Sequence, residues 1–341
     1  MSKSHMAREI AEIPEVAARF LTSARPALAG VGRALRNREI DIAVTLARGS
    51  SDHAATFLKY AIELQAGLPV ASIGPSVSSI YHRPMRLARA VCIGISQSGR
   101  SPDIVDAMKG ADAGGAETVA ITNFADSPMA QAATHRLALD AGEEKSVAAT
   151  KTFVTSALAG LAMLAEWQED KTLSDALAAV PEALSGALSQ DWEPLMARLA
   201  RANSVFVLGR GPSVAMANEA ALKLKETSGL HAESYSAAEV LHGPAAIVRA
   251  HFPVLALGIK DAALPQLSAT AERLAEQGAD VFVTNADVPG VTRLPSAPPL
   301  HPLIDPLLVI TSFYHCVEGL ARRRGFDPDT PPHLRKVTET V

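Results

Sequence analysis

Aromatic residues make up only 4% of this 341-residue chain, too few to supply the ring platforms on which proteins stack single-stranded nucleic acid. Positive charge is not in excess either. Lys and Arg number 32 against 36 Asp and Glu, a formal charge of -4, so a phosphate backbone finds no basic footprint and no nucleic-acid partner is expected. The two cysteines, Cys92 and Cys316, each sit in an apolar run; this excludes a disulfide framework or a paired-cysteine zinc motif and suits small buried side chains. No stretch approaches the roughly 18 apolar residues of a membrane span, and the N-terminus lacks the apolar segment of a secretory signal, so no membrane partner and a cytoplasmic location are expected. There is no G-x-x-x-x-G-K-[ST] loop for a nucleoside triphosphate and no zincin-like His/Glu spacing. Gly209-Arg-Gly211-Pro-Ser-Val214 opens like a dinucleotide fingerprint but lacks the third glycine, and the acid nearest the end of the following strand, Asp261, lies too far along. Neither a cofactor nor a metal is expected.

What is present is a globular composition, 48% hydrophobic and 20% charged, in a chain longer than the roughly 250–300 residues at which single cores stop growing. The chain also repeats itself. Leu46-Ala-Arg48-Gly49-Ser50-Ser51 returns 162 positions later as Leu208-Gly-Arg210-Gly211-Pro212-Ser213, and Thr122-Asn123 returns at the same offset as Thr284-Asn285. A repeat of that length indicates a duplicated domain rather than a solenoid. In each half, short β-branched runs alternate with longer Ala/Leu-rich stretches. Strands are predicted at Ile42–Leu46, Val70–Ile73, Ala90–Ile95, Thr118–Thr122 and His135–Leu139, then at Val205–Leu208, Ala232–Ser236, Pro253–Ile259, Val281–Thr284 and Gly290–Leu294. The fold class is α/β: two similar subdomains, each a doubly wound parallel sheet flanked by helices. The expected divisions are an N-terminal helical arm (1–34), a first domain (35–180), a second domain (195–326) and a C-terminal tail (327–341). A helical stretch from Ala148 to Ala200, with a linker at Val180-Pro181, joins the halves.

In doubly wound sheets ligands lie beyond the carboxyl ends of the strands, so the loops there carry the chemistry. Ser96-Gln97-Ser98-Gly99-Arg100-Ser101-Pro102 follows the third strand; Ser101 suits an N-cap and Pro102 the first helical position. Hydroxyls and free amides at a helix start make an anion site that needs neither lysine nor metal. Ser50 and Ser51 hold the matching place after the first strand. An ordinary Ser-rich turn is the alternative for either loop alone.

Three further places could move protons. Glu219, Lys223 and Glu226 share one face of a helix at Val214–Thr227, either as a surface ladder of ion pairs or as part of a site. His242, in the Gly/Pro-stopped segment Ala238–Pro244, could serve as an acid or base or be structural. The Pro-rich tail ends soon after Lys336, which is either solvated or, if docked, an amine able to form a Schiff base.

Taken together, Ser96-Gln-Ser-Gly99, Glu143-x-x-x-Val147-Ala-Ala-Thr150-Lys151, Glu219-Ala-Ala-Leu-Lys223-Leu-Lys225-Glu226, His231-Ala-Glu233 and Leu241-His242-Gly243-Pro244 resemble the sugar isomerase (SIS) family. More narrowly, they resemble the isomerase half of glucosamine-6-phosphate synthase and the stand-alone SIS-type glucosamine-6-phosphate deaminases. The resemblance implies that Ser96, Gln97, Ser98 and Ser101 hold a sugar phosphate, with Ser51 and Val147 lining the sugar pocket. It implies that Glu226 carries a proton between C1 and C2 and that Lys223 and Glu219 shape the site. His242 would assist ring opening across a homodimer interface, and Lys336 would form the imine.

A synthase would need a glutaminase with a cysteine nucleophile, and no cysteine precedes Cys92. The expected reaction is therefore the reverse one, glucosamine 6-phosphate to fructose 6-phosphate and ammonia. A fructosamine-6-phosphate deglycase, an ammonia-dependent synthase, a pure isomerase and a non-catalytic sugar-phosphate sensor are the alternatives. Arg100, where relatives often carry an acid, Ser101 in place of a frequent threonine, and Pro332-His333 and Arg335 in the tail depart from the family pattern. These departures bear on the substrate's nitrogen substituent more than on its phosphate.

Overall fold

The computed structural model describes residues 3–336; residues 1–2 of the expected arm and 337–341 of the expected tail lie outside the described residues. Among the described residues, ten strands form two five-stranded sheets. The first contains β1 (Ile42–Leu46), β2 (Val70–Ser72), β3 (Ala90–Ser96), β4 (Glu117–Thr122) and β5 (His135–Ala138). The second contains β6 (Ser204–Gly209), β7 (His231–Ser236), β8 (Pro253–Ala256), β9 (Asp280–Thr284) and β10 (Thr292–Leu294). Every pairing is parallel, and the orders β2-β1-β3-β4-β5 and β7-β6-β8-β9-β10 are the same order counted within each half. Parallel strands covered on both faces read as continuous apolar runs, which is why β3 and β4 are buried at every position.

Four strands are shorter than their apolar runs predict: β2 and β5 stop one residue early, and β8 and β10 lose more, for reasons the backbone shows. Beyond Leu257, whose N–H still donates to Leu208 O at 2.8 Å, the chain leaves the ladder, and the Gly258 carbonyl is taken by Thr284 Oγ1 and Asn285 Nδ2, each at 2.9 Å. Gly290 adopts φ of +71°, a turn conformation, so β10 begins only at Thr292. The joining stretch resolves into helices Lys171–Ala178, Val180–Leu188 and Glu193–Leu199 after a long helix, Lys151–Gln168. Pro181 sits in the first turn of its helix, where its missing N–H is harmless, so Val180-Pro181 starts a helix while also standing where the two compact units divide.

The unit built on the first sheet comprises residues 13–144 and 151–179 together with Arg335 and Lys336; the other comprises the chain up to Glu12, residues 145–150 and residues 180–334. The N-terminal arm and the C-terminal tail, each read from the sequence as one piece, thus divide between the units.

In the first unit, Val44, Leu46, Cys92, Ile104, Met108 and Met129 form a core on one side of the sheet. Helix Lys151–Gln168 is apolar around nearly its whole circumference and is accordingly buried, packed by Ile13–Ser23, Arg25–Arg36 and Ser50–Gln65. The approach is close enough to need glycine: a Cβ on Gly32 would lie 2.7 Å from Cβ of Glu166. In the second unit Phe206, Leu208, Val254, Leu267 and Val283 form the matching core, and the buried helix Asp305–Arg323 packs on Ser213–Ser228 and Val180–Leu188. Each fully buried Leu, Ile or Phe contributes roughly 1.5–3 kcal/mol by leaving water, so both units have cores of their own. Among the described residues, no helix is long and apolar enough to cross a membrane.

Candidate functional site

The order β2-β1-β3 places a topological switch point between β1 and β3, where the crossovers run in opposite senses and a crevice opens at the carboxyl ends. Ser50 and Ser51 begin the helix after β1, and Ser96 to Ser101 make the turn after β3. Gly99 carries φ of +61°, and a Cβ there would stand 2.3 Å from Ser127 Oγ, so both its conformation and its space require glycine. The amides of Gly99 and Arg100 donate to Ser96 Oγ (3.1 Å) and Ser98 Oγ (3.3 Å), which leaves the hydroxyl protons to point elsewhere. Ser101 occupies the N-cap position of helix Pro102–Ala113 but makes no side-chain cap bond. Ile104 N–H is satisfied instead by Ser101 O and by Asp103 Oδ1 at 2.9 Å, so the Ser101 hydroxyl is not spent on the helix.

Neighbouring loops brace this turn. Arg48 donates through Nε (3.0 Å) and Nη2 (2.9 Å) to Oδ2 of the buried Asp103, tying the loop after β1 to the helix after β3. Asn123 N–H donates to Gln97 O (3.2 Å), its Nδ2 to Gly142 O (2.8 Å), and its Oδ1 accepts from Ala141 N–H (2.8 Å). Asn123 thereby stitches together the loops after β3, β4 and β5.

Beside the turn lies a cavity of about 240 Å³ lined by Gln97, Ser98, Arg100, Phe124, Glu143, Glu144 and Lys336. Lys336 Nζ donates to Glu144 Oε2 at 2.9 Å. Glu144 is buried and also accepts from Thr152 Oγ1 (2.7 Å) and Thr152 N–H (3.2 Å), so one carboxylate caps the start of helix Lys151–Gln168 and receives the lysine. Lys336 is therefore docked within its unit, not solvated as a free tail.

In the other unit, helix Ser213–Ser228 carries Glu219, Lys223 and Glu226 on one face, as the spacing required. The surface-ladder alternative fails. Glu219 and Lys223 side chains are 0% exposed, and Lys223 Nζ stands 3.5 Å from Glu219 Oε1 and in close contact with Glu226 Oε2. Tyr314 OH donates to Glu219 Oε1 at 2.9 Å. Glu226, at 19%, is the one member of the trio with access to solvent or a ligand. An ammonium held between two carboxylates is expensive to bury unless each charge is paired, and that cost is more often met at functional sites than in plain scaffolding.

Two further predicted residues lie in the trio's unit. Val147 is half-buried in the 145–150 loop, its N–H 3.4 Å from Asp329 O. His242 is exposed at the end of the short turn Glu239–His242, with no bond to the trio. Ser51, Ser96, Gln97, Ser98, Ser101 and Lys336 belong to the first unit, and Val147, Glu219, Lys223, Glu226 and His242 to the second.

Sequence reading missed Arg48, Asp103, Asn123, Glu144 and Phe124 as parts of this architecture. The doubled Arg-Gly and Thr-Asn pairs of the two halves were a signal for Arg48 and Asn123. Asp103, Glu144 and Phe124 act through tertiary neighbours that no local spacing reveals.

The SIS domain profile matches residues 38–166 and 198–288, one stretch in each half. The chain belongs to the SIS domain family. Over 97% of its length it is 33% identical to a glutamine–fructose-6-phosphate aminotransferase (isomerizing) of Zymomonas mobilis, and it spans 58% of that protein. A solved structure from Silicibacter pomeroyi, provisionally assigned as a phosphosugar isomerase, is 51% identical with a TM-score of 0.93, covering 96% of this chain and 100% of that one. A glucosamine-6-phosphate deaminase structure from Thermotoga maritima shares the fold at 20% identity and a TM-score of 0.79, covering 99% of this chain and 100% of the other.

Proposed function

We propose that this chain is an SIS-type sugar-phosphate isomerase that works on amino sugars, converting glucosamine 6-phosphate and water to fructose 6-phosphate and ammonia. The observation that carries the reading is Lys336 lining the same cavity as Gln97 and Ser98, an amine beside the Ser-Gln-Ser-Gly turn. The provisional assignment of the Silicibacter pomeroyi relative as a phosphosugar isomerase and the kinship with isomerizing aminotransferases support the same substrate class.

In this reading the phosphate is held by the hydroxyls of Ser96, Ser98 and Ser101, by Gln97 and by the amides at the start of helix Pro102–Ala113, with Ser51 and Val147 against the sugar. With the sugar open as its C1 aldehyde, Glu226 takes the C2 proton and returns it to C1. As one amine proton passes to O1, C1 becomes an alcohol and C2 an imine. Lys223 and Glu219 hold Glu226 in one rotamer and keep an ammonium beside the carboxylate that must give up and regain the proton. The amine of Lys336 adds to C2 and expels ammonia, and water then cleaves the lysine imine to the C2 ketone, restoring the amine. His242 assists ring opening from a second copy of the chain.

Ammonia release from glucosamine 6-phosphate, measured on the wild type, Glu226→Gln and Lys336→Ala, tests this. Loss of at least 10²-fold in kcat is expected for Glu226→Gln. Wild-type protein that binds the sugar phosphate but frees no ammonia overturns the reaction; undiminished release by Glu226→Gln overturns the role of that residue.

A further inference from the structure

The cavity beside the phosphate turn holds one charge that the reaction above leaves unused. Arg100 lies on its wall with the guanidinium carbon 5.8 Å from the ring centroid of Phe124. The ring gives the cation a shelf but no counter-charge. Among the described residues the Arg100 guanidinium makes no hydrogen bond and no ion pair, with Glu143 or with Glu144 or with any other group. Lys336, the other cation on the wall, already has its partner in Glu144.

The phosphate does not account for Arg100. Its site is made by hydroxyls and amides that converge where helix Pro102–Ala113 begins, and Ser101 keeps its hydroxyl out of the cap. The guanidinium instead reaches over a residue that follows β4, on the side of the cavity walled by Glu143, Glu144 and Lys336. A free amino sugar gains nothing from it, since the protonated amine would meet a second fixed cation. A carboxylate attached to the substrate's nitrogen would have a planar, bidentate partner waiting.

We infer that Arg100 is a specificity-determining residue whose guanidinium receives a carboxylate borne by the nitrogen substituent of the sugar phosphate. The site then also takes, beyond free glucosamine 6-phosphate, the same sugar phosphate joined through its C2 nitrogen to an acid-bearing group, such as an amino acid, whose amine leaves in place of ammonia. This rests on the reading that the turn after β3 holds a sugar phosphate and Lys336 works at the nitrogen-bearing carbon.

The test is binding of two ligands that cannot isomerise and differ only in charge: N-(2-deoxy-6-phosphoglucit-2-yl)glycine and its glycinamide, titrated calorimetrically into the wild type and Arg100→Gln. The wild type is expected to bind the glycine ligand about tenfold more tightly, the scale of one charge-assisted hydrogen bond at a solvent-facing site. Arg100→Gln should abolish that preference and leave the glycinamide ligand within about twofold of wild type. Equal weakening of both ligands by Arg100→Gln would assign the guanidinium to the phosphate and overturn the inference. So would equal binding of the two ligands by the wild type. If the wild type binds neither, the sugar-phosphate reading itself fails, an outcome distinct from the other two.

Discussion

The amine of Lys336 stands 2.9 Å from Oε2 of Glu144, a carboxylate that also accepts from the N–H and the hydroxyl of Thr152 in the first turn of helix Lys151–Gln168. One buried acid thus fixes a lysine near the chain's end and the start of its unit's central helix. Glu144→Ala should lower stability by about 1–2 kcal/mol, the usual worth of a helix cap, and Glu144→Gln by less because the amide oxygen still accepts. Urea unfolding of both variants measures this; equal losses would show that the charge, not the cap, is what matters.

A second cap joins the chain's two ends. His5 and Met6 N–H donate to the Asp329 carboxylate at 2.7 and 2.8 Å, Asp329 O accepts from Val147 N–H, and Glu9, on the same helix, accepts from the amides of Lys145 and Ser146. The loop carrying Val147 is therefore held by residues from both termini. Asp329→Ala is expected to cost about 1 kcal/mol, with Asp329→Asn close to wild type. If Val147 touches the sugar, Asp329→Ala also raises KM more than it lowers kcat, which steady-state kinetics separates from simple loss of folded protein.

The Glu219–Lys223 pair predicts strong non-additivity. Lys223→Met leaves a carboxylate buried beside Tyr314 without its ammonium and should cost about 3–5 kcal/mol. Glu219→Gln combined with Lys223→Met should cost less than the two singles summed, because the one charge left without its partner, on Glu226, still reaches solvent. Denaturant titration of the full cycle checks it, and additive losses would contradict the pairing.

Burial pushes the thiol of Cys92 up to about 12, and burial, with Glu193 and Asp191 nearby, pushes Cys316 up to about 12 as well. At pH 8 only about one thiol in ten thousand is then ionised, so neither should react with Ellman's reagent in the native protein, whereas both react once it is unfolded. Raising the pH to 9 gains tenfold in thiolate and still leaves labelling slow. Rapid native labelling of even one thiol at pH 8 would contradict the buried placement.

Two glycines should respond oppositely to alanine. Gly30, exposed within helix Arg25–Arg36, has nothing within 4 Å of an added Cβ, so Gly30→Ala should stabilise by about 0.4–1 kcal/mol through helix propensity and reduced unfolded-state entropy. Gly99→Ala meets both a positive φ and Ser127, and should lose about 1–3 kcal/mol along with about tenfold in affinity for glucitol 6-phosphate. Thermal melts and calorimetry read the two effects; unchanged ligand affinity in Gly99→Ala would separate that turn from phosphate binding.

The linear order of chemistry and structure was already legible in the residues. The 162-position repeat announced two sheets of one topology, and fully buried parallel strands declared themselves as unbroken apolar runs such as Val91–Ile95. The i, i+4, i+7 spacing put Glu219, Lys223 and Glu226 on one helical face, and the Ser-Gln-Ser-Gly turn could be placed after β3 because hydrophobic period and loop punctuation are local properties. What local patterns could not decide is burial and partnership. The same Glu-Lys-Glu spacing fits a solvated ladder or a dry triad, and only the packing of helix Asp305–Arg323, with Tyr314 on Glu219, selects the second. Ser101 looked like a cap, yet Asp103 bonds Ile104 instead, because Asp103 is itself fixed by Arg48 from another loop. Lys336 could have been a solvated tail; its partner Glu144 lies 192 residues away. Periodicity is written within one element, whereas desolvation and charge pairing belong to whatever the fold brings alongside, and that is settled only when the whole chain has packed.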